Sequence, residues 1–326
     1  MTIETLKRLV VSRDAVERFL KSLLILPYNY VLSLIGKHVM WTQWNTLLSL
    51  KFRINPLLNH QCSYYGLGKI AKKYGINNLF RCCIEHGVIF SYEDDTLRKR
   101  MQPKNMWMPI LDYCVFSKKD KESMTQILNN PRYSRKARVH SIGPYILLAD
   151  HFCSKRKLKK LKQKFGRVLL VFPMHSTEFF DCKIDADLLI NKTEEIKKDF
   201  DTILICFYWH DLILGREKNY HERNYKVVCC GRREDPFFLS RQKDLFYLAD
   251  MTLTNGPGTH VGYSIAMGVP CCILKHDFEM HPRKGHIENN PSAVFMQEGF
   301  YKVFTNYSFE ITSEQKELVK KWWGDF

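Results

Sequence analysis

The stretch Met251–Leu274, MTLTNGPGTHVGYSIAMGVPCCIL, constrains the fold of this chain more than any other. A short apolar run of β-favouring residues leads into NGPG at 255–258, a sequence that is typical of a turn. Thr259 is suited to begin a helix, and GVP at 268–270 ends that helix before a second apolar run. This order of strand, glycine turn, helix and strand predicts one unit of a parallel α/β sheet.

The glycine turn is also a candidate ligand site. A turn between a strand end and a helix start collects backbone N–H groups at the positive end of a helix dipole, which favours a phosphate group. Many α/β proteins have such turns and bind nothing there, but polar residues are crowded into this one. The candidate nucleotide-sugar-binding residues of the turn are Thr254, Asn255, Gly256, Gly258, Thr259 and His260.

The same alternation extends over residues 167–274. Strands are predicted at 167–172, 202–208, 225–230, 251–254 and 271–274, with helical segments between them. This alternation predicts a parallel, doubly wound sheet, and such sheets bind ligands beyond the carboxyl ends of their strands. Candidate site residues therefore come directly after the strands; they are His175, Ser176, Thr177, Glu178 and Arg232.

His175 is the most specific of these candidates. It can donate a hydrogen bond to a phosphate oxygen and, when charged, offset the charge that develops on a leaving group. Further along, Arg241 and Lys243 lie on a predicted helix, and at least one of them is expected on its solvated face.

A less regular βα pattern occupies residues 61–150, with strands predicted at 79–84, 113–116 and 139–142. The first of them ends at Glu85-His86-Gly87, where either Glu85 or His86 could take a proton from a sugar hydroxyl. The basic segment KRKLKKLKQK at 155–164 follows as a solvated helix or a linker. We therefore predict an N-terminal domain of residues 1–154 and a C-terminal domain of residues 155–326, whose closing helix can pack back on the N-terminal domain.

Length, charge and cysteine usage limit the class of protein. The 326 residues suit two domains, and the net charge of +16 indicates an anionic partner: nucleotide phosphates, a membrane surface or nucleic acid. The 11 cysteines include three adjacent pairs without CxxC spacing, a usage typical of reduced, buried thiols in a cytoplasmic protein.

P-loop, zinc-protease and serine-hydrolase motifs do not occur. Two DxD sequences lie at predicted helix ends and not at strand ends, so we expect no metal, with a metal-dependent sugar transferase of the single-Rossmann type as the alternative. We also expect no cofactor.

The N-terminal region raises the question of a membrane. Residues 4–24 have the apolar spacing of an amphipathic helix, and the apolar segment after them is interrupted by Pro27 and Asn29. We expect that segment in the protein core, with the lipid interface as the alternative, and too interrupted to cross a bilayer. The charged N-terminus does not fit a secretory signal. The apolar N-terminal segment and the basic segment at 155–164 together predict peripheral, electrostatic attachment to the inner face of the cytoplasmic membrane, reversed by salt.

The chain also resembles a known family. EHG at 85–87, a strand ending in FPMHSTE at 172–178 and TNGPGTHVGYSIAMGVP at 254–270 resemble bacterial surface-polysaccharide glycosyltransferases of the GT-B architecture, over about residues 80–275. Lipopolysaccharide and capsule biosynthesis proteins, and more distantly the sialyl- and Kdo-transferases, are the members it is most similar to. The resemblance implies an α/β fold with two Rossmann-like domains facing across a cleft.

The resemblance also implies roles for particular residues. Glu85 matches the family's acidic residue before glycine, although His86 intervenes, and His175 matches its histidine motif, although Ser176 stands where proline is typical. The implied activity is metal-independent transfer of a sugar from a CMP-, UDP- or GDP-linked donor to a lipid-linked or oligosaccharide acceptor in bacterial surface-polysaccharide assembly. The N-terminal domain would present the acceptor, with Glu85 or His86 as the base, and the C-terminal domain would hold the donor.

Two alternatives remain open. One is a polyol-phosphate transferase or a nucleotide-sugar epimerase of the same architecture. The other, suggested by the positive charge alone, is a basic nucleic-acid-binding protein. Because no nucleic-acid-binding module is recognisable, we expect no nucleic-acid partner.

Overall fold

A computed structural model of the chain describes residues 3–88, 110–129, 137–177, 180–183, 186–221, 223–256, 258–275, 279–282 and 299–326. Over these residues the chain forms two parallel β-sheets, one short antiparallel pair of strands, and helices packed against them. The expected α/β class, with two parallel sheets and a cavity between them, is confirmed.

The helices are α1 (Ile3–Gly36), α2 (Trp44–Ser49), α3 (Leu67–Tyr74), α4 (Lys118–Leu128), α5 (Tyr145–Leu148), α6 (Lys155–Phe165), α7 (Ala186–Ile196), α8 (Trp209–Ile213), α9 (Lys218–His221), α10 (Phe238–Leu248), α11 (Thr259–Ala266), α12 (Phe300–Phe304) and α13 (Ser313–Trp323). The strands are β1 (Cys82–Ile84), β2 (Asp112–Val115), β3 (Arg138–Ser141), β4 (Val168–Phe172), β5 (Phe180–Lys183), β6 (Thr202–Phe207), β7 (Lys226–Cys229), β8 (Met251–Thr254), β9 (Cys271–Ile273) and β10 (Glu279–Pro282).

The larger sheet has five parallel strands in the order β7-β6-β4-β8-β9. The chain runs from β4 outward to β6 and β7, and then returns to place β8 on the other side of β4. Every residue of β4 is buried, which explains its unbroken apolar sequence VLLVF. From β4 the chain continues to β6 on one side of the sheet, and from β8 it continues to β9 on the other side. Sheets of this kind bind ligands at this reversal of strand order, between β4 and β8.

The smaller sheet has three parallel strands in the order β1-β2-β3. All eight strands predicted from the sequence are present; the largest difference is at the first strand, which begins at Cys82 where Leu79 was predicted. The antiparallel pair of β5 and β10 was not predicted. The domain boundary near residue 154 stays a prediction.

The adjacent cysteine pairs show how both sheets are covered. Neighbouring residues of a strand point to opposite faces, so the members of each pair enter different cores. Cys271 joins the large core cluster on one face of the five-stranded sheet, whereas Cys272 joins the cluster on the other face. Cys229 and Cys230 divide in the same way. All eleven cysteines lie among the described residues; they are buried, and none forms a disulfide.

The basic segment is a helix, the first of the two predicted alternatives. α6 begins at Ser154, whose side chain accepts a hydrogen bond from the N–H of Lys157. Leu158 and Phe165 are buried against the large core, Lys162 pairs with Asp250, and Lys159, Lys160 and Lys164 are exposed.

The prediction for the apolar N-terminal segment was wrong. α1 continues through Pro27 to Gly36, and over residues 15–36, where its side chains are described, the apolar ones are mostly exposed and not buried in the core. Among the described residues, the part of α1 from Ala15 to Gly36 is long and apolar enough to cross a membrane, judged by length and composition only.

At least one of Arg241 and Lys243 was expected on the solvated face of α10. The side chain of Arg241 is completely buried. The guanidinium forms an ion pair with Asp235 at 2.8 Å and donates hydrogen bonds to the carbonyl oxygens of Gly36, Val39 and Cys230. Arg241 therefore connects the end of α1 to the segment that follows β7.

We expect Arg241→Met to lower the free energy of unfolding by about 3–5 kcal/mol, because Asp235 is then left buried without its counter-ion. Urea denaturation measures this loss. Arg156→Met, at an exposed arginine of α6, is the matched control and should leave stability nearly unchanged. The double variant Arg241→Met/Asp235→Leu should recover part of the loss. Equal stability of Arg241→Met and Arg156→Met would contradict this account.

Candidate active site

A cavity of about 300 Å³ opens at the reversal of strand order in the five-stranded sheet. Its wall includes the ends of β4, β6 and β7, the start of α11, and the segments after β1 and before α3. Within the described part of the chain, no Asp, Glu, Lys or Arg side chain lines it. The lining residues are Tyr65, Leu67, His86, Gly87, Phe172, Pro173, His175, Thr177, Cys206, Phe207, Tyr208, Cys230, Phe238, Leu239, Gln242, Gly258, Thr259, His260 and Tyr263.

The cavity brings together about half of the predicted site residues. Those that line it are His86, His175, Thr177, Gly258, Thr259 and His260. They come from three places in the sequence that lie more than eighty residues apart. The structure therefore joins the end of one strand of the small sheet to the ends of two strands of the large sheet.

The turn after β8 divides into an outer part that lines the cavity and an inner part that supports it. The inner residues Thr254, Asn255 and Gly256 are buried and do not line the cavity. Asn255 Oδ1 accepts a hydrogen bond from the N–H of Met174 at 2.7 Å, and a Cβ on Gly256 would lie 2.7 Å from the Met174 side chain. These contacts fix the end of β4 against the end of β8.

Gly258 leaves room for the His260 ring. Its backbone is extended, so no strain requires glycine, but a Cβ there would lie 2.6 Å from the imidazole. The ring stacks on Phe172 with a centroid separation of 4.7 Å, and its Nε2 lies 3.0 Å from Thr254 Oγ1. Because Thr254 Oγ1 donates to the carbonyl of Gly256, the fitting tautomer has Nε2–H donating to Thr254.

His260 is neutral near pH 7. Burial, and to a smaller extent the nearby His175, lower its pKa to about 3. The hydrogen bond to Thr254 and the stacking on Phe172 hold this neutral ring at the start of α11. His260 therefore shapes the turn and is not a source of positive charge for a ligand.

The start of α11 faces the cavity and is held from behind by the C-terminal helix. Gly258 is its N-cap residue and provides no side-chain cap, so the first N–H groups of the helix are not covered by a capping side chain. On the other side of α11, Trp323 Nε1 donates to the carbonyl of Thr259 at 3.1 Å. Its indole ring lies against Gly262, where a Cβ would be 2.2 Å away. α13 therefore fixes the position of the helix end.

His175 forms one wall of the cavity. Its ring stacks on Tyr208, with centroids 4.3 Å apart, and its Nδ1 lies 3.3 Å from the carbonyl oxygen of Ser176, to which Nδ1–H can donate. The ring is accessible from the cavity, yet desolvation by the surrounding protein lowers its pKa. His175 is therefore mainly neutral near pH 7.

Ser176 supports this wall from behind and does not line the cavity. Its hydroxyl donates to Asp181 and accepts hydrogen bonds from Arg216 and from the N–H of Cys182. Arg216 also pairs with Asp181 and Asp211, both at 2.9 Å. Burial raises the pKa of Asp211 to about 7, despite the neighbouring Arg216. This network holds the segment after β4 that carries His175.

Glu178, another predicted member of this group, lies outside the described residues. Arg232 is described but does not line the cavity. Its guanidinium lies over the Trp209 ring at 4.2 Å and donates to the carbonyl of Leu48 at 3.4 Å. The structure therefore separates Arg232 from the cavity residues with which the sequence grouped it.

Of the two residues proposed as the base, the structure places His86 in the cavity wall and Glu85 behind it. The His86 side chain is exposed and makes an edge contact with the Tyr64 ring at a centroid separation of 5.9 Å. The Glu85 side chain is 3% exposed, and its N–H donates to the carbonyl of Cys114. The position of His86 is the better one for contact with a substrate.

Two tyrosines were missed by the sequence analysis. Tyr65 and Tyr208 line the cavity from opposite sides, and their hydroxyl groups lie 3.3 Å apart. Tyr65 has a left-handed backbone conformation, with φ of 54°, which is unfavourable for a tyrosine. Its N–H donates to the carbonyl of Arg233 and its carbonyl accepts from Leu239, so the C-terminal half of the chain holds it there.

Among the described residues, no group of three or more His, Cys, Asp or Glu side chains could hold a metal ion. One of the two DxD sequences is explained by other contacts. Asp199 accepts a hydrogen bond from the Tyr307 hydroxyl, and Asp201 accepts one from the N–H of Arg167. In the other DxD sequence, Asp185 lies outside the described residues.

No protein-family profile and no curated protein sequence matches this chain. Among solved structures, the pneumococcal O-GlcNAc transferase GtfA in complex with UDP and GlcNAc is similar, at 12% identity and a TM-score of 0.32, over 74% of this chain and 44% of that one. A GtfA/B complex is similar at 12% identity and a TM-score of 0.31, over 77% of this chain and 53% of that one. The chain thus spans about half the length of these proteins. TM-scores of this size do not establish a shared activity, so function has to be argued from this chain's own residues.

The low pKa of His260 predicts how stability depends on pH. An unfolded histidine takes up a proton near pH 6.5, whereas folded His260 does so only near pH 3. The unfolded state therefore binds more protons between these values, and stability should fall as the pH is lowered from 7 to 5. The slope for one group is at most about 1.4 kcal/mol per pH unit, and access of water from the cavity reduces it.

Urea denaturation between pH 5 and pH 7 measures this slope, which His260→Gln should reduce. His38→Gln, at an exposed histidine after α1, is the control and should keep the wild-type slope. Identical slopes for wild type and His260→Gln would show that His260 titrates normally in the folded protein.

Proposed function

We propose that this protein is a glycosyltransferase that binds a nucleotide-sugar donor in the cavity between its two parallel sheets. One observation carries the proposal: the start of α11, His175 and His86 converge on a single cavity at the reversal of strand order. A helix start accommodates phosphate, and two imidazoles on different walls can act on different substrates.

The start of α11 is the proposed site for the phosphate groups of the nucleotide. Gly258 adds no side chain between the cavity and the first turn of the helix, and Thr259 brings a hydroxyl group to the same place. No acidic side chain among the described lining residues would repel the phosphates. Bound phosphate groups would favour the charged form of His175, because they supply the negative charge that the described lining residues lack.

The two imidazoles divide the chemistry. His175, at the end of β4, would stabilise the negative charge on the departing nucleotide. His86, at the end of β1, would accept a proton from the acceptor hydroxyl. The alternative base, Glu85, lies directly before it and is buried, and the two can be distinguished by mutation.

The finer parts of the proposal rest on the sequence resemblance. They are a CMP-, UDP- or GDP-linked donor, a lipid-linked or oligosaccharide acceptor, and a place in bacterial surface-polysaccharide assembly. Transfer without a metal ion is part of the same proposal.

A stability screen with CMP, UDP, GDP and CDP tests the donor site, because a ligand of the folded state raises the melting temperature. Gly258→Ala should then weaken binding of the selected nucleotide roughly tenfold or more, about 1.4 kcal/mol, since its Cβ displaces the His260 ring. Gly87→Ala is the matched control: this glycine also lines the cavity, but a Cβ there meets no atom within 4 Å. Equal loss in both variants, or no binding by any nucleotide, would oppose the proposed site.

Transfer from a labelled donor to an oligosaccharide acceptor tests the roles. His86→Ala should lower turnover on the order of a hundredfold with little change in nucleotide affinity, because the base acts on the acceptor. His175→Gln should weaken nucleotide binding and abolish its increase on lowering the pH from 8 to 6. If Glu85→Gln lowers turnover and His86→Ala does not, Glu85 is the base. Release of an epimerised or free sugar with no acceptor product would point to another reaction.

A further inference from the structure

On the surface of a soluble domain, the apolar side of a helix faces the protein core and the polar side faces water. Over residues 15–36 of α1, the apolar side instead faces away from the protein. Small and polar residues face the rest of the protein: Ser22 and Gly36 are buried, and Asn29 is half-buried. Asn29 Nδ2 donates to the carbonyl of Arg53 at 2.7 Å, and Asn29 Oδ1 accepts from the N–H of Arg53 at 2.9 Å. The protein-facing side of α1 is therefore held by polar contacts and close packing.

The outward side of α1 is apolar. Its exposed residues include Phe19, Leu23, Leu24, Tyr30, Val31 and Leu34, and Leu24 is 76% exposed. At 100° per residue these six side chains fall on one side of the helix. The exposed apolar side chains begin at Val16 and end at Ile35, a distance of roughly 30 Å at 1.5 Å per residue. A continuous exposed apolar surface of this size is typical of an interaction site.

A cationic surface borders the end of α1. Lys157 Nζ of α6 lies 3.1 Å from the sulfur of Met40, four residues after the end of α1. α6 contains no acidic residue, and its Lys155, Lys159 and Lys160 are exposed because Leu158 is the residue turned inward. Lys37, directly after α1, is exposed as well. An apolar helix face beside exposed lysines is suited to a partner that has an apolar interior and negative charge at its boundary.

We propose that the outward face of α1 lies in the hydrocarbon of an anionic lipid bilayer and that the lysines of α6 contact the headgroups of the same membrane. The sequence alone led us to expect attachment through charge, which salt reverses. The apolar face of α1 adds a contact that salt does not screen. A second copy of the chain is a poorer occupant, because it brings another net charge of +16 to the same surface.

Flotation with vesicles of phosphatidylcholine, with and without phosphatidylglycerol, tests the proposal at about 0.1 M and about 1 M NaCl. The wild-type protein should float with the anionic vesicles and remain bound at the higher salt. Leu23→Glu/Leu24→Glu should lower the bound fraction at high salt by about tenfold or more. Ile213→Glu/Leu214→Glu, which introduces the same two charges at adjacent exposed apolar residues at the end of α8, is the matched control and should bind as wild type.

Two further variants separate the parts of the surface. Lys159→Glu/Lys160→Glu should weaken binding to anionic vesicles at low salt, because it reverses charge at the proposed headgroup contact. Leu24→Trp keeps the helix face apolar, so its fluorescence should shift to shorter wavelength when vesicles are added, even if the glutamate variants fold poorly. Neither measurement depends on the proposed transferase activity, and nucleotide binding without vesicles should be unaffected.

Three results would overturn the proposal. They are no binding to either kind of vesicle, complete release by high salt, and wild-type vesicle binding by Leu23→Glu/Leu24→Glu. If that double variant converts a dimer into a monomer in light scattering and leaves vesicle binding unchanged, the apolar face of α1 pairs two copies of the chain instead.

Discussion

The buried guanidinium of Arg241 connects parts of the chain that have to keep their relative positions for the cavity to exist. It binds the carbonyls of Gly36 and Val39 at the end of α1 and, through Asp235, the segment after β7. The same segment holds Tyr65 in the cavity wall, because the carbonyl of Arg233 accepts the N–H of Tyr65. One buried ion pair thus lies between the apolar N-terminal helix and the candidate active site.

This arrangement relates the two proposals to each other. If α1 lies in a membrane, the cavity is held at a fixed position relative to the bilayer through Arg241, without a flexible linker. An enzyme that acts on a lipid-linked acceptor benefits from such a position, since binding at a surface lowers the entropy cost of bringing the substrates together. The cavity itself depends on different contacts, mainly Asn255 with Met174 and Trp323 with Thr259.

Local sequence was enough to predict the strands and the turn that build the cavity. Parallel strands buried on both faces are short apolar runs, and the glycine turn after β8 needs no distant information. The same reasoning placed His86 and His175 at strand ends, where the structure finds them in one cavity. It could not separate lining residues from supporting ones, because Ser176 and Asn255 turn away from the cavity to bind partners on other loops.

The failures have a common physical cause, which is dependence on distant contacts. Tyr65 adopts its unfavourable backbone conformation only because residues 233 and 239 hold it. Arg241 is buried because an acceptor 205 positions earlier in the chain, Gly36, satisfies one of its donors. α1 was divided at Pro27 on local propensity, although an exposed helix side can accept a proline when the lost hydrogen bond is open to solvent.

The central claim is that the start of α11, beside His175, binds the phosphate groups of a nucleotide. A crystal structure of the complex with the nucleotide selected by the stability screen tests this most directly. We expect the phosphate groups within hydrogen-bond distance of the backbone N–H groups at Thr259 and His260, with His175 beside the terminal phosphate. Phosphates bound instead in the lysine-rich cavity of about 270 Å³ that Lys118, Lys119, Lys320 and Lys321 line would contradict the account.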